Sequence, residues 1–316
     1  MKTPLFVIAR VTSAEVLRQP VHGVIVVATL LAYVLSPSIA MFSFGDDLNL
    51  LKDFGVSTLF LSGLLLVALG VSSTVGRELE LSTAQTLLAK PVGAGVFLTG
   101  KLAGVLAAVS MALYLFTIAL LLAARIRPSE HAHEVVDWPA VTAALGASVT
   151  ALLRGLVRSL KTPEDFGRAA LQAGCVSFTA ALLLPVLFAP NWSFQPSGVW
   201  IDPVLLEACA LSLLGVALLG AVCVLLSVCL GRGALPAALT VFALGLALGR
   251  DFPLGWLLPD FQLFWIGEAF YRPDTRLPLG YLGETMGYAV SYCTAMMAAS
   301  TWLLNRSSAV SRRLHR

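Results

Sequence analysis

Runs of about twenty consecutive apolar residues recur along this chain, and they constrain its fold more than any other feature. An α-helix rises about 1.5 Å per residue, so a hydrocarbon layer about 30 Å thick is crossed by roughly 20 apolar residues. Seven segments meet or approach that length: 21–42, 54–75, 102–123, 169–190, 204–230, 235–249 and 281–304. An eighth, 139–159, carries Arg154 and Arg158 in its last turn, where long side chains can snorkel to the interface. The composition agrees, with 58% hydrophobic residues, 12% charged residues and a mean hydropathy of +0.85 over 316 residues. Such a chain cannot cover a soluble surface of this size with polar groups. A soluble enzyme, a disordered regulator and a nucleic-acid binder are therefore excluded. The expected fold class is an all-α polytopic membrane protein of about eight transmembrane helices, held as a single transmembrane domain over 1–316.

Charge placement selects among topologies. With eight spans and a cytoplasmic N-terminus, the outer side receives Lys52, Arg125, Arg127, Arg250, Arg272 and Arg276, and the rest of the 21 Lys and Arg stay inside. Omitting 139–159 inverts everything after Arg127 and leaves the larger share outside. Omitting 169–190 as well divides the charges almost evenly and would pack 139–190 on the outer face. The positive-inside rule favours eight spans with both termini cytoplasmic. Residues 1–20 are expected to form a cytoplasmic interfacial helix, capped by Thr3, opened by Pro4 and ended by Pro20. Leu5, Phe6, Ala9, Val16 and Leu17 share one side of it. The first apolar run is long and lies twenty residues in, so it reads as a span rather than a cleaved signal. Cys175, Cys209, Cys223, Cys229 and Cys293 all fall in apolar runs without CxxC spacing and read as core residues.

The longest polar connection on the inner side is RELELSTAQTLLAKPVGAGVFLTGK, residues 77–101. Residues 77–89 have helical spacing, Lys90 before Pro91 stops the helix, and Gly93 and Gly95 permit a sharp turn. A second short helix is expected from about Val96 into the span at 102. Gly95 to Lys101 also matches GxxxxGK, the skeleton of a phosphate-binding loop, but Leu102 stands where magnesium needs Ser or Thr, and a span follows. ATP hydrolysis must then come from another chain. A short helix between two spans on the cytoplasmic side can be gripped by a soluble partner, although an ordinary loop helix has the same pattern.

Four places resemble the permease subunit of type 2 ATP-binding-cassette (ABC) exporters, especially a bacterial branch. FGDDLNLLKDFGV (44–56) is similar to that branch's acidic entry into the second span. Arg77-Glu78, Thr83, Leu87-Leu88, Lys90-Pro91-Val92, Phe97 and Gly100-Lys101 resemble the signature of its coupling helix. LLPDFQLFWIGEAF (257–270) resembles the outer segment before its last span, and a basic tail ends the chain. The resemblance covers 1–123 and 200–310; residues 124–199 depart from it and read as an inserted helical region added to a six-helix core. Where the family commonly has Ser-Arg after Pro-Val, this chain has Gly93-Ala94.

The resemblance implies a transport subunit rather than an enzyme, in the plasma (inner) membrane, exporting a substrate at the expense of ATP. It implies no cofactor in this chain, with ATP and magnesium held by a separate ABC ATPase subunit, and a homodimer or heterodimer of permeases. It assigns coupling to the ATPase to Arg77, Glu78, Glu80, Thr83, Leu87, Leu88, Pro91 and Lys101. It assigns an outer gate, in a re-entrant or interfacial segment over 250–280, to Pro259, Asp260, Phe261, Phe264 and Trp265. Substrate would pass between subunits along 54–75 and 204–230. A secondary carrier and a membrane anchor or assembly factor remain as alternatives, although no span has a central carboxylate of the kind proton-coupled carriers use.

The remaining features are read more plainly. His131 and His133, at i and i+2, do not share a helix face and suit a solvated loop better than a metal site. The aromatic residues of 250–280 also suit an interfacial belt, and 190–203, with Trp192 and Trp200, a membrane-anchored cap. Gly100/Gly104, Gly245/Gly249 and Gly283/Gly287 have the spacing that lets helices approach, within a subunit or across a dimer.

Overall fold

In the computed structural model, residues 3–40, 47–80, 93–126, 137–162, 165–194, 202–248, 258–271 and 277–314 are described. They are helical almost throughout, with one isolated bridge between Phe188 and Phe194. The long helices are α1 (Pro4–Leu17), α2 (Pro20–Ala40) and α3 (Asp47–Val71), then, after a π-helical turn at Ser72–Gly76, the short α4 (Arg77–Glu80). They continue as α5 (Ala94–Ile126), α6 (Trp138–Lys161), α7 (Phe166–Ala181), α8 (Leu183–Leu187), α9 (Pro203–Leu230), α10 (Ala234–Leu248) and α11 (Leu279–Leu314).

Five stretches are long and apolar enough to cross a membrane: Leu48–Leu79, Ala94–Ile126, Trp138–Lys161, Phe166–Leu187 and Pro203–Leu230. A sixth is the α1–α2 pair, which passes together and is bent by 65°. The two further spans expected from sequence differ in character. α10 has 15 residues, about 22 Å of helix, short of the hydrocarbon thickness. α11 has 36 residues, but Tyr, Ser, Thr and Gly alternate with its apolar positions.

α1 ends where expected, because Pro20 opens a new helix in another direction. Thr3 contributes its carbonyl to the first turn, to the N–H of Phe6 and Val7, and its side chain makes no cap bond. The buried side of α1 is Thr12, Val16 and Leu17, with Ile8 and Ala9 partly covered, whereas Leu5, Phe6, Val7 and Val11 are exposed. Glycine explains how α1 lies so close to α5. A Cβ on Gly104 would stand 2.5 Å from the Ala9 carbonyl oxygen and 2.7 Å from Thr12 Cβ, and one on Gly100 would stand 2.9 Å from Ile8 Cγ2. The Gly100/Gly104 pair therefore serves contact within the chain.

The core is built on α9, flanked by α3, α5, α10 and α11, with Phe60, Phe116, Leu59, Leu66, Leu120 and Leu211 fully buried. All five cysteines are free, with Cys209 and Cys223 buried. α6 and α7 form an antiparallel hairpin beside α5. Ala140, Ala143, Ala147, Ala151 and Gly155 make one buried stripe on α6, and a Cβ on Gly155 would stand 2.8 Å from Ala170 Cβ. Along the hairpin, Cys175 Sγ donates to the Met111 carbonyl and Ser177 Oγ to the Ala147 carbonyl. At one end Arg125 of α5 binds Asp137 at 2.6 Å and the carbonyl oxygens of Pro185 and Phe188. At the other end, the Leu17 carbonyl of α1 lies 4.0 Å from the Cβ position of Gly167. The inserted region thus runs the length of α5, and its hairpin turn sits at the end occupied by α1.

Candidate functional site

The segment from Arg77 begins on a distorted helix. α3 does not stop at residue 75 but widens into the Ser72–Gly76 π turn and continues to Glu80. Such turns loosen the regular hydrogen-bond ladder and often mark functional positions. Here the Ser73 and Thr74 hydroxyls both donate to the Gly70 carbonyl, at 3.1 and 2.7 Å. Gln19, in the bend between α1 and α2, donates to Ser73 Oγ at 2.8 Å. The other side of the turn rests on the α9–α10 junction, where a Cβ on Gly76 would stand 3.7 Å from the Gly231 carbonyl. Gly231 has φ 53°, a conformation that glycine adopts freely, which lets α9 end and α10 begin within three residues.

Lys101 is the centre of this arrangement. It is 4% exposed, and its ammonium lies 2.7 Å from Glu78 Oε1 and 3.7 Å from Glu15 Oε2. A buried ammonium is tolerated only when paired. The pairing joins α1, α4 and α5, three elements that meet at one end of the bundle. Arg77 is exposed beside it, and Leu79 packs on the core. Glu78, which the resemblance assigns to coupling, directs its Oε1 to Lys101. Residues 83, 87, 88 and 91 lie outside the described residues, as does the side chain of Glu80.

The GxxxxGK match forms no loop. Gly95 to Lys101 lies inside α5, which runs unbroken from Ala94, so the separate short helix expected from Val96 is the first turn of the span. From Phe97 onward its amide groups are committed to the helix, and Gly100 is covered by α1.

The outer-gate residues converge. Pro259, Asp260, Phe261 and Phe264 are buried, and two 3-10 turns, Gln262–Phe264 and Gly267–Tyr271, carry the segment between helices. Phe264 fits over Gly215, Phe261 and the Pro259 carbonyl over Gly245, and Trp265 Nε1 donates to Ser57 Oγ at 2.8 Å. Gly215 is about 18 Å along α9 from Pro203, so the wedge reaches well into the bundle. Irregular backbone at such depth needs internal partners. Tyr288 Oη accepts from the Asp260 N–H at 3.0 Å, Tyr281 Oη donates to the Leu263 carbonyl at 2.6 Å, and Gln262 Nε2 caps the Leu246 carbonyl at 2.7 Å. No local pattern announces these tyrosine partners, because both stand in 281–304, a segment that reads simply as an apolar run.

His131, His133 and Trp200 lie outside the described residues. His22, which the sequence analysis does not weigh, is 5% exposed with neither ring nitrogen hydrogen-bonded among the described residues, and Lys52, read there only for its charge and its place in 44–56, pairs with Asp202 at 2.6 Å. No protein-family model, no curated protein and no solved structure matches this chain.

Proposed function

We propose that this chain is the membrane-embedded permease subunit of an ABC exporter, working with a separate ATPase that binds ATP and magnesium. The observation that carries the reading is the Glu15–Lys101–Glu78 ion cluster, because it ties the entry helix and both spans into one body at the root of the 81–92 connection. A push on that connection would be delivered to α1, α3 and α5 together, as a two-state switch requires. Thr83, Leu87 and Leu88 are then the contact surface, and Glu78 is the strut behind it. The chain would cross the plasma membrane eight times, pair with a second permease and release its substrate past the 258–271 wedge.

Eight spans are supported by the hairpin's position: α6 and α7 follow α5 to the α1 end, which carries Arg154, Arg158, Lys161 and Arg168 to the side where the positive-inside rule expects them. α3 and α9 are mostly buried within the protomer, so a route between subunits would use only their exposed positions, such as Leu61, Leu65, Leu206 and Leu213.

Co-purification tests the reading. The tagged wild type, in mild detergent, is expected to retain an ATPase that the Thr83→Arg, Leu87→Asp variant loses. These substitutions leave the Lys101 cluster intact. Absence of any ATPase from the intact wild type would contradict the proposal.

A proton-coupled carrier draws on one observation, the buried Asp260 carboxylate at depth. Its Oδ1, however, accepts the Gln262 N–H at 3.1 Å and so shapes the wedge. Asp260→Asn keeps that acceptor and is expected to leave ATP-driven transport within about threefold of wild type, whereas a carrier that moves protons through this carboxylate would lose transport. Transport assays in vesicles, with and without ATP, decide between them.

A further inference from the structure

The cations of the molecule divide into two groups. Lys52, Lys101 and Arg125 are paired with carboxylates. Arg154, Arg158 and Lys161 of α6 and Arg168 of α7 have no ion pair among the described residues, although they gather at one end of one hairpin. Spacing explains the gathering. At 100° per residue, Arg154, Arg158 and Lys161 fall within a 60° arc of α6, estimated at roughly two turns in length. That arc also holds Ala140, Ala143 and Ala147, which are buried, with buried Ala151 about 20° beyond its edge. The face that packs tightly in the upper part of the hairpin thus becomes basic and exposed at its turn.

α7 completes the site. Gln172 Oε1 accepts from Arg158 Nη1 at 3.5 Å, and Arg168, one helical turn before Gln172, shares its arc. Arg18, exposed at the end of α1, follows the Leu17 carbonyl that lies beside Gly167. Of the acidic residues described at this end, Glu15 and Glu78 face Lys101, and Asp165 has no ion pair with these four cations among the described residues. The neighbouring arc of α6 is apolar and exposed, with Leu153 at 54%, Val157 at 46% and Leu160 at 78%. An exposed basic surface without ion pairs among the described residues, edged by apolar side chains suited to acyl chains, matches an anionic lipid in both of its parts.

We propose that this basic surface binds the phosphate headgroup of an anionic phospholipid of the inner leaflet, seated on Arg154, Arg158, Lys161 and Arg168. The acyl chains lie along the face formed by Leu153, Val157 and Leu160. The inference rests on the membrane reading with the hairpin turn inside, and not on coupling to an ATPase. A bound lipid would fix the inserted hairpin against α1 and make it sensitive to the charge of the leaflet.

The test is lipid selectivity of the purified full-length chain in phosphatidylcholine vesicles, read by electron spin resonance with spin-labelled phosphatidylglycerol against spin-labelled phosphatidylcholine. The wild type is expected to hold phosphatidylglycerol at least about fivefold more tightly, the worth of one well-placed cation. The Arg154→Gln, Arg158→Gln, Arg168→Gln variant is expected to lose most of that preference. Arg306→Gln, removing a cation that stacks on Trp302 elsewhere, is expected to keep it. No preference in the wild type, or equal preference in the triple variant, would overturn the proposal; capture of an acidic soluble protein in place of lipid would do the same. If the triple variant does not fold, each single substitution must lower the preference or the proposal fails. A cysteine at Pro163 that labels from outside would sink the topology instead, which separates that failure from an absent lipid site.

Discussion

Replacing Lys101 by glutamate is expected to release the inner end of the bundle. The substitution sets three carboxylates around a site that now holds one ammonium 2.7 Å from Glu78 and 3.7 Å from Glu15. Breaking a buried ion pair from one side leaves uncompensated charge and costs about 3–5 kcal/mol. Lys101→Met should cost less, because the Glu78 and Glu15 side chains are 27% and 42% exposed and can turn to water. Exchanging the pair, Lys101→Glu with Glu78→Lys, should recover part of the loss. Thermal unfolding in detergent gives the stabilities, and protease cleavage near residue 18 reports whether α1 has come away. A Lys101→Glu chain as stable as wild type would mean that the cluster holds nothing together.

Gly104→Val should detach α1 by a different route. Any Cβ there meets backbone, the Ala9 carbonyl oxygen at 2.5 Å and Ala9 Cα at 3.1 Å, so a flexible side chain cannot simply move aside. Overpacking of this kind typically costs about 1–3 kcal/mol, and the valine branches add further contacts. The expected result is a folded bundle with a free α1, visible as loss of a disulfide between Thr12→Cys and a cysteine placed on α5. Gly146→Val is the control, because nothing lies within 4 Å of its Cβ position. Equal loss in both variants would show that helix propensity, and not the α1 contact, sets the effect.

The two substitutions act on different links of one path. Lys101 holds α4 by charge, and Gly104 holds α1 by shape, yet both stand on α5 within one turn of each other. Under the proposed function, either variant should still bind the ATPase through 81–92, but should transmit its motion poorly.

Much of the architecture was legible because apolar length is a simple signal. The bounds of α1, α2, α6 and α9 fall within a few residues of those read from Pro20 and the apolar runs. The hairpin of α6 and α7 was anticipated from length alone, while its small-residue stripe at 140, 143, 147 and 151 stands in plain view in the sequence. Pairings across long separations were not legible. Lys101 is 23 residues from Glu78, and nothing local shows that it turns inward instead of toward a partner. The π turn at Ser72–Gly76 had no composition mark, because SSTVG suits an ordinary span end. The wedge was recognised as an interruption, but its depth depends on Gly215 and Gly245 leaving room and on Tyr281 and Tyr288 serving its backbone. Those are properties of neighbours that sequence order does not announce.

The most direct test of the central claim is a photo-crosslinking residue placed at Leu87, in the chain expressed in its own membrane. The account predicts an adduct with a nucleotide-binding ATPase, dependent on light and absent when the same group is placed at Leu31, on the exposed apolar face of α2. An adduct only with lipid from Leu87, and from Thr83 and Leu88 in turn, would contradict the account and leave the inner connection as an ordinary loop.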